Sequence, residues 1–173
     1  MFARHFIDSL DFARNGRELR GEVPVSEMPR LQDMLAAPEA CPEPSRRGSI
    51  SYIVRGFQDR DGKLKLEVTL DGMCQLRCQR CLNALAYPVK LVSRLLLVQE
   101  GELDESSVEQ DDLDSILADS HQDILALLEE EVLLSLPFAP KHPLGACQPV
   151  AGGMDWSEPE RKPFAALAGL KIE

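Results

Sequence analysis

Residues 63–70 read KLKLEVTL, and this strict alternation constrains the fold more than any other feature of the chain. A period of two places Leu64, Leu66, Val68 and Leu70 on one face and Lys65, Glu67 and Thr69 on the other, the pattern of a strand buried on one side and wet on the other. Neighbouring segments follow the same rule. SISYIVRGF (49–57) puts Ile50, Tyr52 and Val54 on one face, and DRDG (59–62) is a turn signal between the two runs. Asp71-Gly72 is a second hairpin signal, after which MCQLRC continues as strand. AYPVKLVSRLLLVQ (86–99) is strand again, with Val89, Leu91, Leu95 and Leu97 sharing a face. Together these segments predict an antiparallel β-meander of about four or more strands.

Helical patterns flank the sheet. SEMPRLQDMLA (26–36) opens with a serine suited to an N-cap, and Met28, Leu31, Met34 and Leu35 then recur at helical spacing. A longer helix is expected over about 121–136, with Ser120 and Asp123 as a capping box and Ile124, Leu127, Leu128 and Val132 as its apolar stripe. Glu129, Glu130 and Glu131 fall mostly off that stripe and read as a solvated face, and Pro137 ends the helix. The expected fold class is therefore α+β: a meander packed with one long helix and short flanking helices.

Three segments follow. Residues 1–48 form an N-terminal arm, irregular over 1–25, with the short helix and a Pro-rich linker, APEACPEPSRRG, in which Cys41 is an incidental thiol. Residues 49–147 hold the sheet, an acidic loop and the long helix. Residues 148–173 are a Pro/Gly-rich tail closed by a short apolar helix around Phe164–Leu170.

Charge narrows the function classes. The net charge is -10, but EGELDESSVEQDDLD (100–114) carries eight acidic residues and no Lys or Arg. The remainder has 21 acidic against 19 basic residues, nearly balanced. Such a chain is not a generic polyanion binder, because non-specific nucleic-acid affinity comes from Lys and Arg on phosphates. The acidic stretch reads as a solvated loop or, alternatively, as an arm for a basic partner. No apolar run approaches the roughly 20 residues of a membrane helix, and the N-terminus lacks a secretory signal pattern, so no membrane association and a cytoplasmic location are expected. There is no Gly-rich phosphate loop, Walker pattern or G-x-S-x-G.

The cysteines carry the chemistry. CQLRCQRCL (74–82) has the spacing C-x3-C-x2-C, which permits an iron–sulfur cluster, a redox pair, half of a zinc site or ordinary thiols. In an extended strand Cys74 and Cys78 stand roughly 13 Å apart, at about 3.3 Å per residue, too far to share a metal. Cys74 then shares the core face with Leu76. A thioredoxin-like C-x-x-C opens a helix, but here Cys81 is followed by LNALAYPVK and strand. The pair Cys78 and Cys81 at a turn between strands suits a zinc knuckle, and His142 and Cys147 in KHPLGAC supply the two ligands that complete a Cys3His site. Arg77 and Arg80, beside the knuckle, are candidate phosphate contacts for RNA.

CQRCL, EEEVLLSLPFAPKH, Cys147 and KPFAALAGLK occur in that order. This ordered set resembles the bacterial YceD family, the large ribosomal RNA subunit accumulation proteins. The resemblance covers most of the chain from about residue 50. It implies a cytoplasmic, non-enzymatic ribosome-biogenesis factor that supports synthesis, processing or stability of the large-subunit (23S) ribosomal RNA. The implied partner is that RNA or its precursor particle; the acidic stretch and the Pro-rich tail suggest, as an alternative, an adaptor docking on a basic ribosomal or RNA-processing protein. A redox function for Cys78 and Cys81 is a third possibility. The paired cysteines occur in many family members, and the downstream His and Cys correspond to His142 and Cys147, which strengthens the expectation of one structural zinc. Cys74 has no counterpart in the family pattern.

Overall fold

The computed structural model describes residues 5–37, 48–99 and 114–147. Within them the order of elements is β1 (Phe6–Ile7), α1 (Ser9–Arg14), β2 (Glu18–Pro24), two single-turn 3-10 helices (Val25–Glu27 and Gln32–Met34), β3 (Ser49–Gln58), β4 (Leu64–Arg77), β5 (Ala84–Val98), β6 (Asp114–Leu117), β7 (Gln122–Asp123) and α2 (Ile124–Ser135). The fold is α+β, built on a mostly antiparallel five-stranded sheet in the order β2-β3-β4-β5-β6. Strands β2 to β5 form an antiparallel meander, and β6 joins β5 in parallel. A separate two-stranded pairing of β1 with β7 ties the N-terminus to the start of α2.

The alternation seen in the sequence becomes the core. Ile50, Tyr52, Val54, Leu66, Val68, Leu70, Cys74, Leu76, Val89, Leu95 and Leu97 are buried on one face of the sheet. Phe12 and Ala13 of α1 and Ile124, Leu125, Leu127, Leu128 and Val132 of α2 belong to the same cluster. The opposite face is solvated and carries cross-strand ion pairs, Arg55 with Glu18 and Arg94 with Glu67. Opposite charges on neighbouring strands are the usual filling of a wet sheet face.

Several local expectations are corrected. Asp71-Gly72 is not a hairpin: β4 runs through it unbroken, Gly72 pairing with Ile50 on one side and Val89 on the other. Both neighbouring strands satisfy the backbone there, and that pairing overrides the local turn preference of Asp-Gly. A Cβ at residue 72 would lie 2.3 Å from the Ser49 carbonyl oxygen, so the glycine serves close strand approach.

Residues 26–36 do not form an α-helix. Pro29 has no N–H to donate and holds Met28 in an extended conformation (φ -98°, ψ 96°), which splits the segment into two 3-10 turns. Met28, Leu31 and Leu35 are nevertheless buried. The stretch 1–25, expected to be irregular, supplies α1 and β2.

Helix α2 spans Ile124–Ser135 rather than 121–136, and its N-cap is Asp123, whose carboxylate accepts from the N–H groups of Leu125 and Ala126. Its glutamates are not uniformly solvated. Glu129 is 3 % and Glu131 8 % exposed, and only Glu130 points outward. Glu129 accepts from the backbone N–H of Arg30 (2.5 Å) and Leu31 (3.1 Å). It thereby satisfies a buried turn nearly a hundred residues away in sequence.

The expected acidic loop lies outside the described residues but for Asp114, as do all but the two end residues of the Pro-rich linker, with Cys41, and the terminal helix around 164–170.

Candidate metal centre

Strand β4 carries the chain to the site. Beyond the start of β3, residues 35–36 continue the pairing along the edge of β4: Leu35 bridges to Leu76, and Ala36 N–H donates to Gln75 O at 2.8 Å. The last residues of β4 are thus held on both sides, and residues 78–83 project from a fixed base.

The connection between β4 and β5 is a tight knuckle. Cys78 N–H donates to Asn83 O (3.0 Å) and Leu82 N–H donates to Cys78 O (2.9 Å). Leu82 takes a left-handed conformation, φ 61°, which costs a non-glycine residue roughly 1–2 kcal/mol. That turn brings Cys78 and Cys81 onto the same side.

The second half comes from the chain after α2. Gln79 N–H donates to Pro140 O at 2.8 Å, which docks this segment on the knuckle. Gly145, at φ 83°, and the Ala146 N–H to Pro143 O bond then fold Cys147 back. Cys78, Cys81, His142 and Cys147 each bring one ligand atom, and all four atoms lie within 4.8 Å of one another. Cys78 Sγ is 3.9 Å from Cys147 Sγ, and Cys81 Sγ is 3.5 Å from His142 Nδ1.

The Cys78–Cys147 and Cys81–His142 separations fit edges of a tetrahedral zinc site. With Zn–S about 2.3 Å and Zn–N about 2.0–2.1 Å, tetrahedral angles put two sulfurs about 3.8 Å apart and a sulfur and nitrogen about 3.6 Å apart. The orientation of the imidazole fits as well. His142 Nε2 lies 3.1 Å from Ala84 O, and a carbonyl only accepts, so Nε2 carries the proton. Nδ1 is left with its lone pair toward the sulfurs, an arrangement in which a backbone carbonyl fixes the tautomer of a ligating histidine.

The electrostatics also favour a cation. Burial is the largest single influence on Cys78 and opposes its ionisation. The backbone N–H groups of Cys81, His142 and Arg80 are the main influences against it, and the thiol is brought down to about 5. At Cys81 the Asn83 N–H favours the thiolate, but burial and the neighbouring sulfurs of Cys147 and Cys78 raise its pKa. Thiolates this close repel one another, and a divalent ion among them removes that conflict. Cys74 is separate. It is fully buried in the core, where burial pushes its thiol up to about 11, and its sulfur contacts only Tyr87 O, at 3.7 Å, among the hydrogen-bonding groups described.

The two arginines diverge. Arg77 is exposed at the end of β4 and donates to Asp33 O at 3.3 Å. Arg80 is half-buried and turns toward the cluster, donating to Cys147 Sγ and to the carbonyls of His142 and Pro143. Nothing in the spacing of the motif signals that contact, because it depends on where the later loop returns.

A family model described as "Large ribosomal RNA subunit accumulation protein YceD" matches residues 66–171, a span that starts in β4 and takes in all four candidate ligands. No solved structure matches the chain. Among the described residues no helix is long and apolar enough to cross a membrane.

Proposed function

The chain belongs to the YceD family, the large ribosomal RNA subunit accumulation proteins, and from that premise we propose that it is a cytoplasmic, non-enzymatic factor supporting the synthesis, processing or stability of the large-subunit (23S) ribosomal RNA. The observation that carries this reading is the family match itself, because it spans the knuckle, α2 and the returning loop. In this reading the cysteines are structural ligands rather than nucleophiles. One zinc held by Cys78, Cys81, His142 and Cys147 fixes the tip of the β4–β5 hairpin to the segment after α2. The exposed Arg77 at that tip is then a candidate contact for RNA phosphate in the rRNA or its precursor particle. Depletion of the protein should lower the large-subunit rRNA relative to the small-subunit rRNA, and a Cys81→Ser copy should not restore it. Unchanged rRNA levels on depletion would refute the role.

A second reading, an adaptor for a basic ribosomal or RNA-processing protein, is favoured by the groove between β5 and α2. That groove, about 630 Å³, is lined by Asp114, Glu131, Leu91, Leu134 and one cation, Arg94, and Asp114 is the last residue of the acidic stretch 100–114. Partners that stay bound after nuclease treatment would support the adaptor.

A further inference from the structure

The Arg80 side chain crosses from the knuckle to the loop that faces it. Its Nε lies 3.2 Å and one terminal nitrogen 3.1 Å from Cys147 Sγ. The same terminal nitrogen lies 3.2 Å from both His142 O and Pro143 O. We infer that Arg80 is a positioning residue of the metal centre, the fork that holds the His142–Cys147 loop in its ligating conformation and offsets the surplus negative charge of the three thiolates around the ion. This inference rests on the zinc reading of the cluster.

Three observations support it. First, the loop needs holding. Residues 141–147 contain no helix or strand, and Cys147 is less buried than Cys78 or Cys81. A guanidinium that bonds the ligand sulfur and two carbonyls of the same loop fixes all three at once.

Second, the charge requires a counterpart. Three thiolates and a neutral imidazole around a divalent ion leave one surplus negative charge, and the half-buried guanidinium matches it in size and is opposite in sign. Its N–H···S bonds also engage the lone pairs with which the Cys147 sulfur would take up a proton or attack an alkylating agent.

Third, only arginine fits. Two N–H groups in one plane reach the sulfur while a terminal nitrogen also reaches the carbonyls. Lysine, a point donor on a flexible stem, lacks that fork. Arg77, three residues earlier, turns instead to Asp33 and serves as an internal control.

The test uses the full chain, loaded with zinc, as wild type and as Arg80→Lys, Arg80→Gln and Arg77→Gln. Zinc release is followed with a coloured chelator, and folding is checked by circular dichroism. Losing an outer-shell partner typically weakens metal affinity about ten- to hundredfold. Release from Arg80→Gln and Arg80→Lys should be faster by that order, and Arg77→Gln should match the wild type. With cobalt(II) in place of zinc, Arg80→Gln should shift the sulfur-to-metal charge-transfer band, which a purely structural role would leave in place. Wild-type release rates and an unshifted band in both Arg80 variants would overturn the inference while leaving the zinc site standing. Wild-type release from Arg80→Lys alone would overturn the fork. A wild-type protein that takes up no zinc would bring down the zinc reading and this inference with it.

Discussion

Cys78 Sγ and Cys147 Sγ lie 3.9 Å apart although 69 residues separate them in sequence. A metal joining them closes a long loop in the unfolded chain, much as a disulfide would. The chain-entropy model for a loop of that length gives of order 4 kcal/mol, an upper bound for a metal link. A domain of this size loses about 2–4 °C per kcal/mol. Stripping the metal with a chelator should therefore lower the melting temperature by about 10 °C, and adding zinc back should restore it. Calorimetry with and without chelator checks this, and coincident melting curves would contradict a stabilising clip.

Cys74 should behave unlike its neighbours. It faces the core and keeps its proton at neutral pH, its thiol pushed up to about 11. Cys74→Ala should retain the metal and lose about 1–2 kcal/mol from the small void left behind. Cys81→Ser should lose the metal. Elemental analysis and chemical denaturation of the two variants separate these outcomes.

Glu131 makes stability depend on pH. Burial is the main cause of its raised pKa, helped by Asp114 and Glu130 and opposed by a hydrogen bond from Ser93; Arg94, paired with Glu67, lines the same groove. A carboxyl whose folded pKa lies above its unfolded value, about 4.3, favours the folded state fully below that value and loses this contribution as pH rises through the folded pKa. Glu131→Gln mimics the protonated form at every pH. It should melt above the wild type at pH 7 and together with it at pH 4. A melting difference of the same size at both pH values would count against this assignment.

Glu129 answers a different need. Its carboxylate accepts two backbone N–H groups, from Arg30 and Leu31, in a buried turn. Glu129→Ala leaves both unpaired, at a cost of about 2–3 kcal/mol, while Glu129→Gln keeps an acceptor and should lose less. Urea denaturation of the two variants should rank them in that order.

What the chain disclosed beforehand follows from the range of each signal. The alternation over 63–70 is local and survives into β4, and the order Cys78, Cys81, His142, Cys147 is visible without any fold. The β2 strand is hard to see because Glu18, Arg20 and Glu22 face solvent and only Val23 is fully buried. Asp71-Gly72 misleads because strands on both sides decide its conformation. The burial of Glu129 is invisible in sequence because its donors sit 98 and 99 residues away. Arg80 beside the knuckle reads as a candidate phosphate contact until the returning loop is seen to occupy it.

In the proposed reading Cys78, Cys81, His142 and Cys147 hold one zinc. Native mass spectrometry of the full chain, purified without chelator, tests it most directly. The wild type should carry a mass shift of one zinc per chain, absent in Cys147→Ser. A metal-free wild-type chain that melts at the same temperature whether or not zinc is supplied would contradict it.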